Sequence, residues 1–108
     1  QDRCVGQCVA KKGAYRLCDL LDIRTDSRHR RQGVATALLN AVEAWAAAQG
    51  LCGIRAETTD DRPASCQFFE RTGFTLGGVD MLRRHCDPTQ ADRAPAMRES
   101  ILVFYKFF

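Results

Sequence analysis

Four arginines and one histidine crowd into eight consecutive residues, RTDSRHRR, from Arg24 to Arg31. Two positions later Gly33 opens a run in which Val34, Leu38, Ala41, Val42, Trp45 and Ala48 recur at helical spacing. A basic turn feeding a helix start brings together guanidinium charge, unpaired backbone N–H groups and the positive end of a helix dipole. That combination binds anions. The phosphate loop G-x-x-x-x-G-K-[ST] is absent, and so is the dinucleotide pattern G-x-G-x-x-G. What the run does contain is Arg30-Arg31-Gln32-Gly33-Val34-Ala35, a match to Q/R-x-x-G-x-G/A. Acids gather elsewhere, at Asp19, Asp22, Glu57, Asp60 and Asp61, where a cationic ligand would be welcome.

The elements that must position these groups alternate in type. Val5–Ala10 is short and β-prone, KKGA is a turn signal, and a second strand is expected from Tyr15 to Thr25. The Ala- and Leu-rich helix that starts after Gly33 stops at Gly50. Leu51–Thr58 reads as a strand. Asp60 and Asp61 ahead of Pro63 predict an N-cap and a first-turn proline for a second helix, which runs through Phe68 and Phe69 to Gly73. Phe74–Val79 is strand-like, Asp87–Ala96 is a polar loop, and Ile101–Phe108 is an apolar closing strand. Strands and helices in this order predict an α/β fold, one mixed sheet with helices packed on it.

Composition narrows the function classes. The 108 residues suffice for a single domain, 1–108, with 45% hydrophobic and 27% charged residues, so neither disorder nor a collagen-like repeat is expected. Sixteen Lys+Arg against thirteen Asp+Glu leave +3, too mild to mark the whole chain as a nucleic-acid binder. No apolar run is long enough for a transmembrane helix, and no signal peptide is visible. Six cysteines permit a disulfide framework. Cys18, Cys52 and Cys66, however, lie in apolar periodic segments where free cysteine acts as a small hydrophobe, and neither Cys4-x3-Cys8 nor His85-Cys86 has the spacing of a structural zinc site. Reduced thiols and a cytoplasmic location are the expectation.

The stretch LDIRTDSRHRRQGVATALL resembles motif A of the GNAT superfamily of acetyl-CoA-dependent N-acetyltransferases: its fourth strand, pyrophosphate loop and third helix. ETTDDRPASCQFFERTGF resembles the family's fourth-helix block. Within the family, VGQ, GIRAET and GFTLGGVD resemble the streptothricin-type acetyltransferases, and the likeness runs from Val5 to Phe108. It implies acetyl-CoA as cofactor and the amine of a small cationic molecule, such as an aminoglycoside or a streptothricin, as acceptor. On the strand, cofactor binding would fall to Ile23, Arg24 and Thr25, with the Ile23 N–H as oxyanion donor. Arg28, Arg30, Arg31 and Gln32 would meet the phosphates, together with the amides of Gly33, Val34, Ala35 and Thr36. Ser65 and Phe69 would line the cofactor arm.

The same comparison exposes three departures. Leu21 replaces the strand glutamate, Phe69 the helical tyrosine and Arg62 the asparagine on the cofactor arm. Two acids remain as bases: Asp19, on the face of Leu21 by alternation, and Asp22, on the other face unless a bulge re-aims it. The family's usual first strand and helices are not within this stretch, so a truncated or processed chain is expected, and the sheet edge left open invites a homodimer. Two further readings stand beside the enzyme: a module that binds CoA without turnover, and a basic nucleic-acid module, although no aromatic stacking platform adjoins the arginines.

Overall fold

The computed structural model describes residues 6–25, 33–94 and 98–108. Its elements are β1 (Gly6–Lys12), a 3₁₀ turn (Ala14–Arg16), β2 (Leu17–Thr25), α1 (Val34–Ala48), β3 (Gly53–Thr59), α2 (Pro63–Arg71), β4 (Thr75–Asp80), a second 3₁₀ turn (Pro88–Gln90) and β5 (Ile101–Phe107). The sheet is mixed, in the order β1-β2-β3-β5-β4, with β1/β2 and β4/β5 antiparallel and β2/β3 parallel. The chain packs as two compact units, Gln1–Ala56 with Lys106–Phe108, and Glu57–Tyr105.

In the first unit the β1–β2 hairpin carries the expected turn two residues later than KKGA suggested. β1 continues through Lys12, and β2 starts at Leu17 rather than Tyr15. Tyr15 and Arg16 sit between them in left-handed conformation, φ 57° and 60°, positions where a tight hairpin normally uses Asn or Gly. Long-range bonds hold Arg16 there: its guanidinium donates to the Gly50 carbonyl at 2.9 Å, and its own carbonyl accepts the Cys52 N–H at 2.7 Å. Tyr15 has no such compensation and is 93% exposed. Asn tolerates this region, so Tyr15→Asn should stabilise the protein by up to about 1 kcal/mol, a rise of a few degrees in a thermal melt.

α1 begins after Gly33 and closes at Gly50 (φ 75°), where the Leu51 N–H reaches back to the Ala46 carbonyl at 3.0 Å. Its buried face is Leu39, Val42 and Ala46. Of the pattern read from sequence (Val34, Leu38, Ala41, Val42, Trp45 and Ala48), Val42 is buried and Val34 and Leu38 are half-buried, and the mismatch lies in Ala41, Trp45 and Ala48. Those three lie on the exposed side. An Ala-rich helix offers two overlapping apolar stripes, and contact with β1 and β2 selects one. Leu39, Val42 and Ala46 share their core with Cys18, Leu20, Ile54 and Ala56, and Glu43 pairs with Lys106 at 2.6 Å.

In the second unit α2 starts at Pro63 as expected, but its N-cap is Arg62 and no side chain caps it. Asp60 and Asp61, read as caps from sequence, are committed elsewhere. Asp60 accepts the Ser100 N–H at 3.2 Å, and Asp61 accepts the Thr59 hydroxyl at 2.5 Å. Phe69 joins Phe74 and Phe104 in a buried aromatic cluster, with centroids 5.0 and 5.4 Å from its own.

The segment between β4 and β5, expected to be a plain polar loop, is tied together by Arg84. Its guanidinium donates to Asp87 (2.7 Å), Thr89 (3.3 Å) and Glu99. The hydroxyl and backbone N–H of Thr89, with help from Arg84, hold the Asp87 carboxyl down at about 2. A carboxylate depressed in the folded state contributes stability above its unfolded value near 4 and loses it as pH falls through the folded value. The clasp should therefore loosen between about pH 4 and 2. Pepsin cleavage at Met81–Leu82 should accelerate across that interval, and Asp87→Asn should abolish the step.

Candidate functional site

The described part of the basic junction lies on the two elements that flank it, the C-terminal half of β2 and the first turn of α1. β2 pairs with β3 from Leu17↔Gly53 to Leu20↔Ala56 and then continues to Thr25 with β1 as its described partner. Here the antiparallel register shifts. Ala10 pairs with Leu20 and Val9 with Asp22, which leaves Leu21 as the extra residue of a β-bulge, 56% exposed. Cross-strand partners share a face, so the shift has a definite consequence. Cys18, Leu20, Ile23 and Thr25 lie on the side of Gly6, Cys8 and Ala10, the side that α1 covers: a Cβ at Gly6 would stand 2.7 Å from Val34 and 3.2 Å from Leu38. Asp19, Asp22 and Arg24 share the opposite side with Gln7, Val9 and Lys11.

The two candidate bases thus lie on one face but in different settings. Asp19 stands in register between Lys11 of β1 and Arg55 of β3, and a Cβ at Gly13 would meet its carboxylate at 2.5 Å, which places that carboxylate at the hairpin turn. Asp22 stands next to the bulge, half-buried, and both its oxygens lie close to Arg24 Nε, at 3.1 and 2.9 Å.

At the far side of the junction Gly33 adopts φ 76°, with no side-chain cap on the helix. At this end the Ala37 N–H donates to the Gly33 carbonyl at 2.9 Å. The N–H groups of Val34, Ala35 and Thr36 precede it in the turn whose amides a helix leaves without intrahelical partners. A Cβ built on Gly33 meets nothing within 4 Å among the described residues. Arg28, Arg30, Arg31 and Gln32 lie outside the described residues.

Ser65 and Phe69 belong to the second unit. Ser65 is half-buried in the first turn of α2, its N–H donating to the Arg62 carbonyl at 3.1 Å, while Phe69 is 5% exposed within the aromatic cluster. Among the described residues five cysteines are free thiols, and burial pushes the Cys18 and Cys66 thiols up. No group of His, Cys, Asp and Glu among the described residues could hold a metal ion, and no helix among them is long and apolar enough to cross a membrane. Sequence reasoning missed the Asp22–Arg24 pair. Its signal, an acid and a base two residues apart on one strand, was present but was absorbed into the run of arginines.

Three comparisons bear on this arrangement. The family model described as acetyltransferase (GNAT) family matches residues 1–74. Streptothricin acetyltransferase of Escherichia coli is 32% identical over 91 residues, 84% of this chain and 49% of the relative. Streptothricin acetyltransferase A of Bacillus subtilis (strain 168) is 29% identical over 107 residues, 99% and 58%. The chain thus spans about half the length of these two relatives. Among solved structures, a candidate streptothricin acetyltransferase from Bacillus anthracis str. Ames in complex with acetyl coenzyme A superposes with a TM-score of 0.86 at 30% identity, covering 96% of this chain and 56% of that one. Nourseothricin acetyltransferase gives 0.82 at 26% identity, covering 95% and 57%.

Proposed function

We propose, for a chain that belongs to the GNAT family of acetyltransferases, that it transfers an acetyl group from acetyl-CoA to a primary amine of a small cationic molecule of the streptothricin or aminoglycoside kind. The observation that carries the reading is the pairing of a left-handed Gly33, with no described residue within 4 Å of a Cβ there, and a β2 that runs on past its register with β3. The first offers helix amides and dipole to a pyrophosphate, and the second offers backbone groups at Ile23 and Thr25 to an extended pantetheine arm. The residues present fit the cofactor there, since a side chain at position 33 would project into the space the phosphates need.

Acetyl-CoA, when bound, supplies a thioester whose acetyl carbon gains a C–N bond as its C–S bond breaks. The chain's own contributions are orientation and charge. The Ile23 N–H donates to the carbonyl oxygen as negative charge develops on it. The amides of Val34 to Thr36 hold the phosphates, aided by Arg28, Arg30 and Arg31. A carboxylate on β2, Asp19 or Asp22, takes the proton that the attacking amine sheds. Ser65 and Phe69 are proposed to flank the arm. The relatives' names support an antibiotic amine as acceptor. The free thiols support a reducing cytoplasm. β1, which stands at one edge of the strand order, supports pairing with a second copy.

A second reading, CoA binding without turnover, is favoured by Phe69, which buries an apolar ring where the family's tyrosine would offer a hydroxyl. Calorimetric titration with acetyl-CoA and a thiol-release assay with streptothricin-type and aminoglycoside amines separate the two. Heat of binding with amine-dependent thiol release is the expected result. Binding without release establishes the second reading, and no binding at all sinks both.

A further inference from the structure

We infer that the bulge at Leu21 selects Asp22, not Asp19, as the carboxylate that takes the amine proton, and that Arg24 is its positioning residue. The inference rests on the acetyl-transfer reading and adds to it which acid works and what holds that acid in place. Reach is the first argument. Strands rise about 3.3 Å per residue, so Asp19 starts roughly 13 Å from Ile23, the proposed oxyanion donor. A direct hydrogen bond spans about 3 Å and a single bridging water less than about 6 Å. Asp19 is beyond both, and its carboxylate sits at Gly13, toward the hairpin. Asp22 adjoins Ile23 in the chain.

Facing is the second argument. In an unbroken strand Asp22 would share the side of Leu20, under α1. The extra residue moves it to the side that carries Gln7, Val9 and Arg24, where α1 does not cover it. Arg24 supplies the third. Its Nε donates to one Asp22 oxygen at 3.1 Å and lies 2.9 Å from the other, a charge-assisted contact that keeps the carboxylate turned toward Arg24. A carboxylate accepts about four hydrogen bonds, so oxygen lone pairs remain for the incoming N–H. Because Arg24 is engaged on that face, the structure assigns its side chain to the acid, where the sequence had placed Arg24 among the cofactor-binding residues of the strand.

The balance of the step is simple: the nitrogen lone pair forms the C–N bond, the sulfur leaves with the C–S pair, and the amine proton passes to Asp22 Oδ. The experiment measures kcat, KM for the amine and CoA affinity in Asp22→Asn, Asp19→Asn, Arg24→Met, Arg24→Lys and the Asp22→Asn/Arg24→Met double variant, with thermal melts to show that each folds. Asp22→Asn should cut kcat by about 100- to 10,000-fold with CoA affinity intact. Arg24→Met should lower kcat with CoA affinity intact, Arg24→Lys should recover part of the loss, and Arg24→Met should cost nothing further in the Asp22→Asn background. Turnover that survives Asp22→Asn, or an equal loss in Asp19→Asn, overturns the choice of acid. Weakened CoA binding with unchanged kcat in Arg24→Met overturns the positioning role and returns Arg24 to cofactor binding. Wild-type protein that binds acetyl-CoA but releases no thiol sinks the acetyl-transfer reading and this inference with it, an outcome distinct from all the others.

Discussion

Gly33→Glu is expected to weaken CoA binding by about 1,000-fold while the protein still folds. Two effects could produce a loss at this position, and their sizes decide between them. Gly33 has φ 76°, so any side chain there strains the backbone by about 1–2 kcal/mol. That cost falls on the folded chain whether or not ligand is present, so it appears in the melting temperature and not in the affinity. The charge acts only on the complex. A carboxylate about 4 Å from a phosphate oxygen costs about 4 kcal/mol at the effective dielectric of a protein surface, close to three decades in Kd. Among the described residues nothing lies within 4 Å of a Cβ at this position, so the new side chain displaces no packed neighbour there. Gly33→Ala then separates strain and bulk from charge: it should melt a few degrees lower and lose far less CoA affinity than Gly33→Glu. Calorimetry on the two variants is the measurement. An unaltered affinity in Gly33→Glu would show that the phosphates do not sit at this helix start.

Phe104→Ala should remove most of the folding stability of the second unit. The side chain is 2% exposed, and its ring lies 5.4 Å from Phe69, which in turn lies 5.0 Å from Phe74. Truncating a buried Phe costs about 3–5 kcal/mol, transfer and cavity together. Native domains hold only about 5–15 kcal/mol in total. A fall of roughly 15–25 °C in the thermal midpoint is therefore expected, with Phe104→Leu losing far less because it keeps most of the volume. A midpoint within five degrees or so of wild type for Phe104→Ala would mean that the aromatic cluster is not the unit's core. Phe69 belongs to the same cluster: its ring is committed to Phe74 and Phe104 and has little surface left to offer.

What the sequence by itself determined was the set of features decided within a few residues of chain. The order of strands and helices was legible, because period and punctuation are local: Gly33 and Gly50 bracket α1, and Pro63 opens α2. The junction between β2 and α1 stood out for the same reason, since arginines, glycine and helix start are contiguous, although Arg28, Arg30 and Arg31 lie outside the described residues. The features that only the tertiary structure decided depend on partners far along the chain. Alternation along β2 assigns faces correctly up to Leu20 and wrongly afterwards, because pairing with β1 inserts Leu21 as an extra residue and reverses the parity of everything beyond it. The choice between Asp19 and Asp22 hangs on that one residue. Arg16 holds a left-handed turn because Gly50 and Cys52 lie beside it, and Arg84 organises a loop whose second anchor, Glu99, is fifteen residues away. Local propensity acts through the backbone of near neighbours. The register of strands and the pairing of charges are settled by which segments pack together, and a single chain read in order carries no direct mark of that.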